Sequence, residues 1–361
     1  MSTKNSLLST YEEDGISKKG IENEKEKILQ EDDKPFCPWI KPDSYCHKLT
    51  GMKKFHYEIL DFYKFIQLND EEKELRRKTY NSIQNIIKEN FPEYTCELYG
   101  SFKTDLSLPN SDIDILILEN GQEDNPEKDD IYLLNSLISI YNVLYNKHEI
   151  DNLELVKAKV PIIKCIHKET KIHIDISLFK KNGSLAVEEV ESIVKIYPEI
   201  KPLILVIKYM LRQRDLNEIY KGGISSFIIF TLLYYYIVDV KKRIIYKNNN
   251  EKKEKLITLG ELLLGFFNFY GFDFNYRKLG ISIRNGCFLF RRTDESKNIL
   301  CVENFQDIKQ DMGKSCYQYK KIIDLFKFAS RSLTSCTSPV ISYLSLFIFP
   351  DEILKERNQK K

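Results

Sequence analysis

The sequence predicts an α+β protein of two lobes, a mixed α/β lobe followed by a mainly helical one. Short strands with alternating apolar residues, and one amphipathic helix among them, are predicted from Phe91 to about Leu178. Beyond about residue 198 the apolar residues recur at helical spacing instead. Two lobes of this kind place a candidate site in the cleft between them.

The predicted elements of the first lobe follow from local patterns. In the first helix apolar residues recur every four positions, acidic residues fill the first turn and Pro92 follows the end. The later segments alternate with period two, apart from one further helix. In chain order these are a helix at Asn69–Phe91, strands at Cys96–Gly100 and Ser111–Leu118, a helix at Ile131–Leu144, and strands at Leu153–Ile166 and Lys171–Leu178.

The second lobe is predicted to be helical with one hairpin. Pro202 fits the first turn of a helix that runs to about Arg212. An apolar helix begins near Ser225, the polar run Lys241–Lys255 is predicted to be a surface loop, and Leu259–Tyr270 forms one helical face. Asn285-Gly286 is a strong signal for a turn between two short strands.

The length, composition and net charge limit which domains and binding partners are expected. The 361 residues, 42% of them hydrophobic, suffice for two domains, and the net charge is only +2. A chain that held long RNA unaided would more often be strongly basic. If RNA is a ligand, the small charge suggests local basic patches, a weak grip or a partner that supplies the grip. Residues 1–34 are polar and charged, and a disordered tail is expected there.

Several function classes are disfavoured. The eight cysteines are scattered without a CxxC pair, which is typical of reduced thiols, and Cys37, Cys46 and His47 are a poor zinc set. The apolar run Ile224–Val238 is too short for a membrane span, and no signal peptide is apparent. A soluble, intracellular protein without a membrane partner is expected.

The chemistry is predicted to rest on three aspartates. In a strand, Asp112 and Asp114 project to one side while the isoleucines between and after them pack on the other. Asp175 occupies the same kind of position in a later strand. If that strand lies beside the first pair, the three carboxylates would hold two Mg²⁺ or Mn²⁺ ions about 3.5–4 Å apart, as in-line phosphoryl transfer requires.

Gly100 and Ser101 complete this constellation. Glycine permits close backbone approach, and the next residues fit a short helix whose N–H groups, with the Ser101 hydroxyl, face phosphate oxygens. An Asp-x-Asp or a Gly-Ser alone is common in surface turns and carries little information. Gly-Ser ahead of a strand-borne Asp-x-Asp, with a third strand aspartate, is much more specific.

At this point the chain resembles the DNA-polymerase-β-like terminal nucleotidyltransferases, from about residue 38 to about 333. The likeness is greatest to poly(A) RNA polymerases of the type found as the catalytic subunit of the TRAMP RNA-surveillance complex. The matching segments are His56–Tyr63, Gly100–Thr104, Ser111–Asp114, Val160–Lys164, Ile174–Ser177, Gly222–Phe227, Phe274–Tyr276, Gly280–Ile283 and Asp311–Ser315. The resemblance implies a palm-like catalytic domain and a helical central domain.

The domain boundaries expected on this basis are as follows. A tail at 1–34 precedes helices at 35–90 that pack with the central domain, then the palm at 91–197, the helical central domain with its nucleotide-recognition loop at 198–350, and a tail at 351–361.

The resemblance also implies nucleotide contacts. Lys208 and Arg212 lie four apart on one helix face and are expected at the triphosphate, as is Ser226. Phe227 stands where relatives have tyrosine, and is expected to stack on the base or to be a core residue. In the recognition loop, Gln310 and Asp311 are the base-contact candidates, although several neighbouring positions depart from the family pattern.

The implied activity is template-independent addition of adenylate from ATP to RNA 3′ ends, with pyrophosphate released. Uridylating relatives carry a histidine in the recognition loop, and all five histidines here precede residue 174. The alternatives are use of UTP or mixed nucleotides, a catalytically silent RNA-binding scaffold, and transfer to a small molecule.

The resemblance further implies RNA processing in nuclear surveillance and exosome decay. A zinc-knuckle RNA-binding protein and an RNA helicase are the implied partners. Nuclear residence is expected, nucleolar included, while the residues leave a cytoplasmic location open.

Overall fold

A computed structural model describes residues 36–119, 130–157, 161–178, 183–248, 257–292, 300–304, 310–336 and 340–359. The tail expected at 1–34 lies outside the described residues. Ten α-helices and seven strands are assigned within those ranges. The α+β fold class expected from the sequence is confirmed.

The first lobe contains a mixed sheet of five strands in the order β1-β2-β5-β4-β3. Its central pair, β2 and β5, is parallel, whereas the other neighbours are antiparallel. The strands are β1 (Tyr94–Tyr99), β2 (Ile113–Glu119), β3 (Ile150–Val156), β4 (Ile162–His167) and β5 (His173–Leu178). Alternate residues of β2 and β5 are fully buried, so each strand turns one apolar face to the core.

One sequence prediction for this lobe is wrong. The segment Leu153–Ile166, expected as a single strand, forms the antiparallel hairpin of β3 and β4 instead. Pro161 immediately precedes β4. Proline has no N–H to donate, so it disrupts the hydrogen bonds between strands least at the end of a strand.

Two helices precede the sheet, α1 (Gly51–Ile66) and α2 (Asp70–Asn90). The predicted helix at Asn69–Phe91 is confirmed as α2, and Asn69 and Glu72 form a capping box at its start. We expected the helices of 35–90 to pack with the helical lobe, and α1 does so. In contrast, α2 buries Ile83, Ile86 and Ile87 in the core of the sheet, because these residues recur on one helix face.

The lobe containing the sheet is completed by three helices, α3 (Gly100–Lys103), α4 (Asp130–Tyr145) and α5 (Gly183–Ile196). The helix predicted at Ile131–Leu144 is confirmed as α4. Its residues Leu137, Ile140 and Leu144 are fully buried and pack in the same core as β2 and β5.

The helical lobe contains the remaining helices and a small hairpin. They are α6 (Ile200–Arg212), α7 (Ser226–Asn248), α8 (Leu259–Asn268), α9 (Tyr319–Thr334) and α10 (Glu352–Gln359), with β6 (Leu279–Ser282) and β7 (Phe288–Arg291). The hairpin predicted around Asn285-Gly286 is confirmed, since β6 and β7 pair antiparallel. In the described part of the chain, no helix combines the length and apolar character that crossing a bilayer requires.

Two predicted boundaries in this lobe are corrected. Residues 241–248, predicted to be loop, continue α7, and the rest of the predicted loop, 249–255, lies outside the described residues. Residues 351–361, expected as a tail, include α10. That helix is held by buried Arg357, which donates to the carbonyls of Phe65 (2.8 Å) and Gln67 (2.6 Å).

Glu58 of α1 is a fully buried carboxylate that joins distant parts of the chain. It accepts hydrogen bonds from Trp39 Nε1 (3.1 Å), the Ser342 hydroxyl, Tyr343 N (2.7 Å) and Leu344 N (3.1 Å). Burial raises the pKa of this carboxyl above its ordinary value, and the hydrogen bonds oppose that rise. Glu58 therefore ties residues 39 and 342–344 to α1.

We predict that Glu58→Ala lowers the free energy of unfolding by about 3 kcal/mol, because it leaves several buried donors without an acceptor. Glu89→Ala, an exposed change on α2, should shift it by less than about 0.5 kcal/mol. Urea denaturation of the three proteins measures both. A loss in Glu58→Ala no larger than that of the control would contradict the role assigned to Glu58.

Candidate active site

The central strand pair brings two of the predicted carboxylates together. In the parallel register of β2 and β5, Asp114 lies directly beside Asp175. The same row of paired residues continues to Tyr99 on β1 at one side, and to Lys164 on β4 and Glu154 on β3 at the other. Asp112 stands one residue before β2 and on the same side as Asp114.

The electrostatics of this row confirm that the carboxylates interact. Burial raises the pKa of Asp114 to about 7, and the charges of Asp175 and Asp112 add to the rise. Burial also raises the pKa of Asp112, again with a contribution from Asp175. Three carboxylates so placed are short of cationic partners, which is the setting that favours a divalent metal.

Lys164 partly meets that need and was not identified as a site residue from the sequence. Its ammonium donates to both carboxylate oxygens of Asp175, at 3.0 and 2.8 Å. The pKa of Lys164 is raised: burial lowers it, but the contacts with Asp175 and the charge of Asp112 outweigh burial. The sequence did contain an indication of this role, because Lys164 is a charged residue that alternates with Ile163 and Cys165 in a strand.

The described residues do not present a ready-made set of three His, Cys, Asp or Glu metal ligands. The Lys164 ammonium lies on the Asp175 carboxylate. Carboxylate oxygens are nevertheless the ligands that Mg²⁺ and Mn²⁺ prefer, and Asp112, Asp114 and Asp175 are the residues that could hold them.

Gly100 is adapted to its place beside Asp114. Its φ is +63°, and a Cβ at this position would overlap the Asp114 carboxylate. Glycine is therefore required both by backbone conformation and by space. Ser101 follows in the short helix α3, as predicted, and its hydroxyl lies 3.1 Å from that of Ser107.

Helix α6 carries the two predicted phosphate ligands. Lys208 is buried and donates to the carbonyl of Leu106 at 2.7 Å. Burial lowers its pKa to about 8, with the nearby charge of Asp114 acting in the opposite direction. Arg212 lies one turn further on, and its guanidinium is 3.8 Å from the Asp351 carboxylate.

A cavity of about 790 Å³ lies between the sheet and the helical lobe. Its walls include Ser101, Asp112, Asp114, Lys208, Arg212 and Ser226. An adjoining cavity of about 280 Å³ is lined by Gly100, Ser101, Asp114, Lys208, Ser226 and Phe227 among others. The structure thus gathers most of the predicted site residues around one cleft. Phe227 is half-buried and packs near Phe230, with ring centroids 6.1 Å apart.

Gln310 and Asp311 are located differently. The Gln310 side chain accepts a hydrogen bond from Asn304 Nδ2 at 2.8 Å, and Asp311 Oδ1 accepts from the backbone N–H groups of Val302 (3.0 Å) and Gly313 (2.8 Å). Neither residue lines the two cleft cavities. In this structure Asp311 organises the loop backbone.

Two further residues of the cleft were missed by sequence reasoning. Arg76 of α2 donates to the carbonyls of Pro109 (2.6 Å) and Ser111 (3.4 Å), and so holds the loop that leads to Asp112. Glu218 lines the larger cavity and contributes to the raised pKa of Asp112. Nothing in the sequence marked Arg76 or Glu218 as a residue of the cleft, because single charged residues on a helix or in a loop are common.

A mixed sheet whose acidic row faces a helical lobe across a cleft defines the palm of a nucleotidyltransferase. Residues 55–194 match the family described as "Poly(A) RNA polymerase, mitochondrial-like, central palm domain". Residues 258–308 match the family described as "Cid1 family poly A polymerase". The chain belongs to the poly(A) RNA polymerase type of terminal nucleotidyltransferases, as the resemblance implied.

Individual proteins agree with this assignment. The chain is 29% identical to poly(A) RNA polymerase cid14 of Schizosaccharomyces pombe, over 78% of this chain and 40% of that protein. It is 30% identical to poly(A) RNA polymerase protein 1 of Saccharomyces cerevisiae, over 82% of this chain and 46% of that protein. The chain therefore spans less than half the length of these relatives. A Drosophila melanogaster relative described as inactive, Trf4-2, is 27% identical over 78% of this chain and 69% of its own length.

Among solved structures, the polymerase core of TRAMP, an RNA surveillance complex, superposes with a TM-score of 0.71 at 27% identity. The match covers 89% of this chain and 95% of that one. A palm with a helical domain, two lobes around a cleft, is confirmed by this likeness.

We predict that Asp114→Asn stabilises the metal-free protein, and more so at high pH. Because the pKa of Asp114 is raised to about 7, the folded protein binds a proton there that the unfolded chain releases near pH 4. Stability from this group is complete below the ordinary carboxyl pKa and is lost as the pH rises through about 7. The gain in the variant should thus grow from near zero at about pH 4 to about 2–4 kcal/mol at about pH 8.

Denaturation in the presence of a chelator, over this pH range, measures the gain. Asp43→Asn, at an exposed position, is the matched control and should show no such trend. A gain in Asp114→Asn that is independent of pH would contradict the assignment.

Proposed function

We propose that this chain is a template-independent RNA 3′-terminal nucleotidyltransferase that adds adenylate from ATP. The observation that carries the proposal is the pairing of Asp114 with Asp175 on neighbouring strands. Asp114 lies next to Gly100, and Asp114 and buried Lys208 both line an open cleft. In the reaction, the RNA 3′-oxygen forms a bond to the α-phosphorus of ATP. The bond from that phosphorus to the bridging β-phosphate oxygen breaks, and pyrophosphate leaves.

Asp112, Asp114 and Asp175 would together hold two Mg²⁺ or Mn²⁺ ions. Bound divalent ions supply charge neutralisation on the triphosphate and a lowered pKa for the attacking hydroxyl. The three residues fit these ions because carboxylate oxygens are the ligands that Mg²⁺ and Mn²⁺ prefer. The raised pKa values of Asp112 and Asp114 support the same conclusion. Asp175 stands on the side of the RNA hydroxyl.

Lys164 positions the third carboxylate. Its two hydrogen bonds hold both oxygens of Asp175 toward β4. Both side chains remain partly exposed, 34% for Lys164 and 22% for Asp175, so in this proposal a competing cation shares or replaces the contact.

The triphosphate lies against Lys208, Arg212, Ser101 and Ser226 in this proposal. Lys208 is still mostly protonated at neutral pH, with a pKa of about 8, and an approaching phosphate would raise that pKa further. Its buried hydrogen bond to Leu106 fixes the ammonium near Asp114. Arg212 already lines the larger cavity, where its guanidinium lies 3.8 Å from the Asp351 carboxylate.

Base preference is proposed from two side chains. Phe227 lines the smaller cavity and offers a half-buried ring for stacking, although its contact with Phe230 also suits a core role. Gln310 replaces the histidine expected for uridylation and has both donor and acceptor groups. ATP is therefore proposed over UTP, with Gln310 and Asp311 approaching the base through the recognition loop.

A catalytically silent scaffold is the second candidate, and the inactive Drosophila relative favours its consideration. Retention of the three aspartates, Gly100 and Lys208 around one cleft supports the enzyme instead. The helical lobe from residue 198 to 350, added to the palm at 91–197, supports RNA over a small-molecule acceptor.

For the biological setting we propose nuclear RNA surveillance, with decay by the exosome, in a TRAMP-like assembly. The structural likeness to the TRAMP polymerase core supports this setting. A net charge of +2 supports delivery of RNA by partners, for which a zinc-knuckle protein and a helicase are proposed.

A primer-extension assay with each of the four NTPs, Mg²⁺ or Mn²⁺ and a single-stranded RNA tests the activity. We expect extension with ATP above the other three. Asp112→Asn and Asp175→Asn should reduce extension by at least about 10³-fold, whereas the control Asp43→Asn should retain it. Failure of the wild-type protein with every NTP, despite ATP–Mg²⁺ binding, would favour the scaffold.

Extension by the isolated protein should be weak, because few phosphate contacts are available, and it should fall with salt, because those contacts are electrostatic. The measurement is extension rate between about 50 and 200 mM KCl. Robust processive tailing at high salt without partners would refute this expectation.

A further inference from the structure

Two exposed tyrosines lie beside the mouth of the cleft and take no part in the chemistry described above. Tyr220 is 68% exposed and Tyr317 is 64% exposed. Tyr220 lies in the short 3₁₀-helix Ile219–Lys221, whereas Tyr317 precedes α9. Large aromatic side chains left in water in this way incur a hydration cost that folding did not remove, so they are candidates for contact with a ligand.

The two tyrosines form one locked unit. The Tyr317 hydroxyl donates to the carbonyl of Tyr220 at 3.3 Å. The Tyr317 ring rests on Gly222, whose φ is +81° and where a Cβ would overlap that ring. Gln318 fastens the same turn, since its Nε2 donates to the Lys221 carbonyl (2.6 Å) and its backbone N to that of Gly222 (2.9 Å). The rings are thus presented by a backbone that is already ordered.

The unit is continuous with the cleft. Ile219, in the same turn as Tyr220, lines both the larger and the smaller cavity. Ser225 and Ser226, which follow Gly222 by three and four positions, line both cavities as well. A chain that left the cleft along this turn would pass directly over the two rings.

The charge around the unit is positive. Lys221 places its ammonium 5.6 Å from the centroid of the Tyr220 ring. Lys314, Lys320 and Lys321 are also exposed, within four residues of Tyr317 along the chain. Across the ranges that the structure describes, none of these four lysines has an ion-pair partner. Exposed rings with unpaired cations are the combination that binds single-stranded nucleic acid.

We propose that Tyr220 and Tyr317 form a stacking platform for unpaired bases of the RNA just behind its 3′ end. The bases stack on the rings, and the neighbouring lysines contact the phosphates. This inference rests on the proposed function, of which it specifies the RNA-binding subsite. It also accounts for how a nearly neutral protein holds a primer, through local contacts that do not depend on sequence.

The test is fluorescence anisotropy with a labelled single-stranded oligoadenylate of about 15 nucleotides at low salt. Tyr220→Ala and Tyr317→Ala should each weaken RNA binding by about tenfold, and the double variant by more. Tyr220→Phe and Tyr317→Phe, which keep the ring, should bind like the wild type. The matched control is Tyr145→Ala on α4, which removes a 72% exposed tyrosine elsewhere on the surface. A blunt RNA duplex, whose bases are already stacked, should bind equally to all variants.

Thermal unfolding checks that each variant folds. If Tyr317→Ala is unstable, Tyr220→Ala and the phenylalanine variants still decide, because Tyr220 is the more exposed ring. Unchanged RNA affinity in the alanine variants would overturn the proposal and would leave the surface to a protein partner.

Asp112→Asn should lose extension yet keep RNA binding. RNA binding that depends on the tyrosines in a protein that extends with no NTP would sink the proposed activity and leave the platform intact.

Discussion

The structure depends on one costly juxtaposition, the parallel pairing of β2 and β5 that sets Asp114 beside Asp175. Burial of the Asp114 carboxyl is the larger part of the cost, and repulsion by Asp175 and Asp112 adds to it; together they raise the pKa of Asp114 to about 7. The surrounding cations act against that cost from two sides, with Lys164 on Asp175 and Lys208 near Asp114. The site thus stores unfavourable electrostatic energy that a bound cation and nucleotide would relieve.

The helical lobe matters to the site because it delivers the second of these cations. Helix α6 inserts Lys208 into the palm and fixes it on the carbonyl of Leu106. In turn α6 packs on α1, whose buried Glu58 ties residues 342–344 to the same bundle. The position of the Lys208 ammonium in the cleft therefore depends on packing that extends to Arg357. This residue holds α10 against the C-terminal end of α1 through the carbonyl of Phe65.

Sequence patterns predicted local structure but missed contacts between segments that are distant along the chain. Alternation alone placed Asp112, Asp114 and Asp175 on strand faces, and four-residue spacing placed Lys208 above Arg212. The order of strands is a property of pairing between distant segments, so neither the hairpin of β3 and β4 nor the contact of Lys164 with Asp175 was expected. Arg357 was overlooked for the same reason: a basic residue in a polar segment looks solvated until its partners, some 290 positions earlier, are known.

The small net charge of +2 acquires a physical meaning from these contacts. Within the cleft, Lys164 and Lys208 offset only part of the charge of the carboxylates, so the cleft itself exerts little long-range attraction on RNA. The lysines near Tyr317 are different, because no described acidic group pairs with them. Attraction confined to one short stretch beside the cleft mouth, combined with stacking that ignores base identity, would suit the proposed transferase, which has to engage 3′ ends of any sequence.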